Sequence, residues 1–212
     1  SNSAKKDRTN WVNEILIQYP KLAVKVYKKF AIDRLENNEI SHTGMDKLIN
    51  SNIDKMYLYP VYLELLAHYP FMNKQDLSVL LKKVLYVNSI EVELTNICQS
   101  ALENKKVKTE SRQLWISTYY LLNPNTHFEK FKRYFNRNPI TLFKLQDLMP
   151  SIAFEEQVNK SEVYTKLILA LAHKYGNEYR VFKGGFSTGE NNSNVDAAEF
   201  IRHLIAQLST IV

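Results

Sequence analysis

The stretch Leu65-Leu66-Ala67-His68-Tyr69-Pro70 carries the pattern that decides the fold, an apolar run that ends at a proline corner. Two further copies are Ile15-Leu16-Ile17-Gln18-Tyr19-Pro20 and Tyr119-Tyr120-Leu121-Leu122-Asn123-Pro124. Proline pushes the residue before it out of the α region, and it suits the first turn of a new helix, where its missing N–H costs no hydrogen bond. Each copy therefore predicts a sharp corner between two helices.

The three corners recur at a nearly constant spacing. Their prolines are 50 and 54 residues apart, and apolar residues follow each proline at the seventh and tenth positions. These residues are Tyr27 and Phe30, Leu77 and Leu80, and Phe131 and Tyr134. Such a period is typical of stacked helical pairs, so the sequence predicts an all-α, HEAT-like α-solenoid. Chance agreement in an apolar-rich chain is the alternative.

Composition favours the same fold class. The chain has 212 residues, of which 45% are apolar and 24% are charged, as in an ordinary globular protein. It contains only five glycines and six prolines, which argues against an all-β fold with many tight turns. Hydrophobic periodicity and capping signals predict about eleven helices and no substantial sheet.

Local signals place several of these helices. Asn73 fits the N-cap of one helix, and Thr126 with Glu129 fits a capping box at the start of another. Pro60 lies inside a helical pattern over residues 55–68, so that helix either starts there or is kinked there. Five residues are predicted to be structural, as corners or core aromatics: Pro20, Pro70, Pro124, Trp11 and Trp115.

The chain divides into four predicted segments. Residues 1–4 resemble the remnant of a cleaved expression tag, and residues 5–175 form the helical-repeat domain. Residues 176–194 contain most of the glycines and are predicted to be a flexible loop. Residues 195–212 form an amphipathic helix that continues the array. Because its apolar stripe reaches the last residue, we expect a segment of a longer protein; docking of a natural C-terminus into the core is the alternative.

Charge and cysteine content limit the partners and the compartment. The net charge of +6 permits contact with nucleic acid or an anionic surface without requiring it. The single cysteine, Cys98, excludes an internal disulfide, and its apolar surroundings predict a buried structural thiol. No apolar run approaches the ~18 residues that a membrane span needs. We expect a cytoplasmic protein that binds no membrane.

The sequence contains no recognisable catalytic motif. None of its histidines has the spacing of a zinc-binding His-Glu-x-x-His motif, and no serine lies in a Gly-x-Ser-x-Gly elbow. The glycine-rich residues 183–190 lack the Gly-Lys-Ser/Thr ending of a phosphate-binding loop. We therefore predict no catalytic centre, no metal and no cofactor. An undetected helical toxin or enzyme remains a further alternative.

One basic stretch is the candidate contact surface. Basic side chains there could contact phosphates while the interleaved aromatic rings stack on bases. The basic residues are Lys130, Lys132, Arg133, Arg137 and Lys144, and the aromatic ones are Phe128, Phe131, Tyr134, Phe135 and Phe143. However, Phe128, Phe131 and Phe135 recur three and four residues apart, which favours a core-facing stripe and a solvated basic face.

Parts of the sequence resemble a known family. The segments Gln113-Leu114-Trp115-Ile116 and Leu122-Asn123-Pro124, and the glycine-containing loop before residues 196–209, resemble the C-terminal helical repeats of bacterial NACHT-type STAND NTPases. The resemblance spans most of the chain. It implies a sensor or scaffold segment of a multidomain protein in antiphage defence, whose NTPase site lies in another domain. We therefore expect a protein partner, with a nucleic acid as the alternative; the oligomeric state stays open.

Overall fold

A computed structural model describes residues 18–37, 45, 48–138, 141–149, 165–167 and 169. Within these residues the chain forms seven α-helices and one 3₁₀ helix and contains no strand, which confirms the all-α prediction for this part. The 3₁₀ helix is Asn88–Ile90. The α-helices are α1 (Pro20–Asn37), α2 (Lys55–His68), α3 (Lys74–Val84), α4 (Glu91–Glu103), α5 (Thr109–Leu122), α6 (Pro124–Arg137) and α7 (Thr141–Leu148).

Several predictions lie outside the described residues. These are the remnant at residues 1–4, Trp11 with its predicted helix, the predicted loop over residues 176–194 and the predicted amphipathic helix over residues 195–212. The count of about eleven helices therefore stays a prediction.

The proline corners take two forms. Pro20 and Pro124 are the first residues of α1 and α6, where a missing N–H is tolerated. At the middle corner α2 ends at His68, and the buried Pro70 lies in a turn in which the Met72 N–H donates to the Tyr69 carbonyl at 3.0 Å. The next helix starts only at Lys74. Pro124 is therefore a direct helix–proline–helix joint between α5 and α6, whereas the helix predicted before Pro20 lies largely outside the described residues.

Side-chain caps set three helix starts. Asn73 Oδ1 accepts hydrogen bonds from the backbone N–H groups of Gln75 and Asp76, which confirms the predicted N-cap of α3. Asp54 caps α2, which therefore begins before Pro60 and continues through it. The predicted capping box at Thr126 is wrong, because Asn123 is the N-cap of α6 and its Oδ1 accepts from the Thr126 N–H at 3.0 Å.

The chain divides into two compact units, Ser1–Ser111 and Arg112–Val212. In the first unit α2 packs against α1, α3 and α4. Six of its side chains are buried: Leu58, Val61, Tyr62, Leu63, Leu65 and Leu66. The Tyr62 hydroxyl donates to the Leu48 carbonyl at 3.1 Å. Burial, and to a smaller extent the nearby Tyr59, raises the pKa of Tyr62 to about 12. This mostly apolar helix forms the centre of the first unit.

In the second unit an aromatic cluster joins α5 and α6. The Tyr120 ring stacks on Phe131 with centroids 4.6 Å apart, and Phe131 stacks on Phe135 at 6.0 Å. Trp115 is fully buried in the middle of α5, as predicted for a core aromatic. These large buried rings form part of the described core of this unit.

The apolar positions after the three prolines are not equivalent. Leu77, Leu80 and Phe131 are fully buried. Phe30 is 52% exposed, so the apolar tenth position after the proline is not a core position in the first copy. The reason is that α1 buries a different face, made of Ala23, Val24, Ala31 and Arg34.

Candidate functional site

The predicted basic residues lie on two helices, α6 and α7. Lys130, Arg133 and Arg137 are exposed and recur three and four residues apart, so they form one row along α6, the α6 basic row. Lys132 lies on another side of α6, with its Nζ 5.7 Å from the centre of the Phe128 ring. Lys144 lies on α7, where its Nζ is 3.9 Å from Asp147 Oδ2.

Two aromatic residues of the same stretch belong to the core. Phe131 and Phe135 are fully buried, which confirms the core-facing interpretation of their spacing. Phe128 is partly buried beside Lys132. Because buried rings cannot stack on bases, Phe131 and Phe135 are not available as stacking partners beside the α6 basic row.

His127 lies in a small cluster next to this row. Its ring stacks on Tyr119 with centroids 3.6 Å apart, and Lys130 Nζ lies 4.9 Å from the centre of the same Tyr119 ring. Burial, and secondarily the charge of Lys130, lowers the pKa of His127. The imidazole is therefore neutral near pH 7 and packs as an aromatic ring. Sequence reasoning did not find this cluster, because an isolated histidine in a helix carries no motif.

Protonation of His127 should weaken the folded state. Its pKa is below 6.5 when folded, so the unfolded chain takes up the proton first as the pH falls. The contribution to stability is complete above about pH 6.5 and is lost as the pH falls through the folded pKa. Urea unfolding from about pH 7.5 to about pH 5.5 should show a smaller loss of stability in His127→Phe, which keeps a flat ring, than in wild type. Equal losses in the two proteins would contradict this assignment.

Sequence patterns did not predict an exposed apolar row on α1. Leu22, Val26 and Phe30 are 58%, 41% and 52% exposed and recur every four residues, so they form a continuous ridge, the α1 ridge. Tyr19, just before the helix, is 55% exposed. The residue before each ridge position is an exposed lysine: Lys21, Lys25 and Lys29. We call these three residues the α1 lysine row.

A buried ion pair fixes the orientation of α1. Arg34 Nη2 lies 2.9 Å from Asp76 Oδ2 on α3, and both side chains are more than nine-tenths buried. Asn73 Nδ2 donates to the same carboxylate at 2.6 Å. On the α2 side, Lys28 Nζ pairs with the Glu64 carboxylate. These contacts hold the opposite face of α1 against the first unit and leave the α1 ridge in solvent.

The α1 ridge differs from other exposed apolar side chains in the described part of the chain. Four of those stand alone among the described residues of their helix or turn, which is normal for a protein surface. They are Met56, Phe71, Val79 and Val92. A row of three on one anchored helix is the feature that points to an interaction surface.

Two kinds of feature are absent from the described residues, a metal-binding cluster and a membrane-spanning helix. Among them, no three His, Cys, Asp or Glu side chains come close enough together to hold a metal ion. None of the described helices combines the length and apolar character needed to cross a bilayer. Cys98 is buried in α4, as predicted, and burial raises the pKa of its thiol.

Comparisons with protein-family models, with curated proteins and with solved structures give no match. The fold and its surfaces define the class of the described part, which is an all-α protein with an exposed, lysine-bordered apolar ridge.

Proposed function

We propose that this chain is a non-catalytic helical-repeat segment that binds another protein, as a sensor or scaffold of a larger assembly. The exposure of Leu22, Val26 and Phe30 in one row carries this proposal. Helices that present apolar side chains at this spacing commonly receive a partner helix or groove. Completing the burial of a half-exposed leucine or phenylalanine contributes roughly 1 kcal/mol, so three such residues can form the centre of an interface.

The HEAT-like arrangement is part of this proposal. Its support is that α2 packs against α1 and α3, its neighbours in the chain, and also against α4, the helix after next. Stacked helical pairs produce contacts of this kind, because each repeat packs against the adjacent one. The resemblance to NACHT-type STAND NTPases extends the proposal to a cytoplasmic parent protein in antiphage defence, with its NTPase site in another domain.

Site-specific photo-crosslinking tests the binding function. A benzoyl-phenylalanine at Val26, in the centre of the α1 ridge, should crosslink to a discrete partner in an extract of the source cells. The matched control is the same probe at Val92, an exposed valine on α4. We expect no discrete product at Val92, and Phe30→Glu should abolish the product formed at Val26. Identical products at the two positions would argue against the α1 ridge as the binding surface.

Nucleic-acid binding is the second candidate function, and the α6 basic row favours it. Lys130, Arg133 and Arg137 place three exposed charges on one helix face. Three phosphate contacts to a single strand would make the logarithm of the affinity fall with the logarithm of salt at a slope of about −2. Binding of an oligo-dT strand with that slope, lost when all three residues become glutamine, would favour this candidate over the protein-binding one.

A further inference from the structure

We propose that the α1 ridge and the α1 lysine row together bind an acidic amphipathic helix of a partner protein. This inference rests on the proposed protein-binding function and specifies the chemistry of the partner. On α1, Lys25 follows Leu22 by three residues and Lys29 follows Val26 by three. Lys25 and Lys29 are therefore direct helical neighbours of ridge residues. The apolar row and the basic row therefore form one surface.

Ion pairs do not neutralise the α1 lysine row within the described part of the chain. There, Lys21, Lys25 and Lys29 are exposed and none of them forms an ion pair. By contrast, Lys28 of the same helix pairs with Glu64. A partner that covers the ridge must bring its edge alongside the lysine row. Carboxylates on that edge would complement the row, whereas basic groups would be repelled.

The geometry favours a helix as the occupant. The ridge from Leu22 to Phe30 spans two turns of α1, which is ~12 Å along the helix axis. Side chains spaced by four residues form a ridge that fits between the corresponding ridges of a facing helix. A partner helix with apolar residues three and four apart and glutamates on one flank satisfies both rows at once.

A bilayer and a second copy of the chain fit this surface less well. Asp33 is exposed and follows Phe30 by three residues on the same side of α1. A continuous layer of anionic headgroups would meet this carboxylate, whereas a partner helix can carry its own carboxylates on the lysine flank alone. An antiparallel two-fold pairing centred on Val26 would bring Lys25 of one copy beside Lys29 of the other. Like charges at that distance oppose self-association.

The probe is a fluorescein-labelled, helix-forming peptide of about 18 residues, with leucines three and four apart on one face and glutamates elsewhere. Its comparison peptide has lysine in place of every glutamate. In anisotropy titrations we expect the full chain to bind the glutamate peptide at least about tenfold more tightly than the lysine peptide. Equal affinities, or tighter binding of the lysine peptide, would overturn the proposal.

Two sets of variants locate the binding. The double variant Leu22→Glu with Phe30→Glu should lower the affinity for the glutamate peptide by at least about tenfold, because the apolar centre of the surface is lost. Changing Lys21, Lys25 and Lys29 to glutamine should remove most of the preference for the glutamate peptide and its salt dependence. The matched control changes three exposed lysines of the loop before α5 to glutamine, with the same change in net charge: Lys105, Lys106 and Lys108. An equal effect of the control would overturn the assignment to α1.

The remaining outcomes separate this inference from the proposed function. A crosslinked protein partner at Val26 without preference for the glutamate peptide would overturn the acidic chemistry and leave the binding function standing. Ridge-dependent binding to phosphatidylserine vesicles would replace the partner helix with a membrane surface. Ridge-dependent dimers in sedimentation at the titration concentrations would replace it with a second copy.

Discussion

Replacing Trp115 with alanine should lower the free energy of unfolding by about 3–5 kcal/mol, because the change removes a large, fully buried ring. Trp115 lies in the middle of α5, within the fully helical and buried run from residue 113 to residue 120. A cavity of that size cannot be filled by small movements of a close-packed interior. Urea denaturation followed by the circular dichroism of the helices measures the loss.

Trp115→Phe is the matched variant for this prediction. It keeps an aromatic ring and leaves a smaller cavity, so its loss should be well below that of the alanine variant. An alanine variant with an unchanged unfolding transition would show that the Trp115 ring does not support the fold. Losses of equal size in the two variants would show that the indole nitrogen, rather than the apolar volume, carries the effect.

Replacing Asp76 with alanine should cost about 3–5 kcal/mol, because it leaves the guanidinium charge of Arg34 buried without its carboxylate. The same change removes the acceptor of the Asn73 amide hydrogen bond at the start of α3. Removing both charges, as in Arg34→Met with Asp76→Leu, should restore most of the stability, since neither charge of the pair is then left buried without the other. Urea unfolding of Arg34→Met, of Asp76→Leu and of the double variant gives the coupling energy.

Lys28 and Glu64 supply the control for this cycle. Their ion pair joins α1 to α2 at an accessible position, so Glu64→Ala should cost no more than about 1 kcal/mol. A loss for Asp76→Ala as small as that for Glu64→Ala would contradict a structural role for the buried pair. A double variant no more stable than Asp76→Ala would show that packing at these positions, and not the uncompensated charge, explains the loss.

Helix positions follow largely from local sequence. The predicted helical pattern over residues 55–68 corresponds to α2, and the Asn73 cap is found as predicted. In one stretch, two local signals predict different start positions for the same helix. Asn123 with Pro124 and Thr126 with Glu129 both resemble helix starts, and the Asn123 side chain became the N-cap of α6. A capping box and an N-cap three residues earlier both satisfy backbone N–H groups at a helix start with a side-chain oxygen. The sequence alone therefore does not show which of the two starts the helix uses.

Which face of a helix is buried is determined by the sequence only where polar residues mark the other face. In α6, Phe131 and Phe135 stand among charged and polar residues, so their spacing alone predicts their burial, and the structure confirms it. In α1, apolar residues occupy most of the circumference, and no single face is marked.

The sequence by itself therefore determined the all-α class, the helix bounds to within a few residues and the aromatic core of α6. Tertiary structure alone decided which apolar residues of α1 are buried and which form the exposed ridge. The physical reason is that Arg34 must pair with Asp76, which lies 42 residues away in the chain. A buried guanidinium needs its carboxylate, so this contact fixes the rotation of α1 and leaves Leu22, Val26 and Phe30 in solvent.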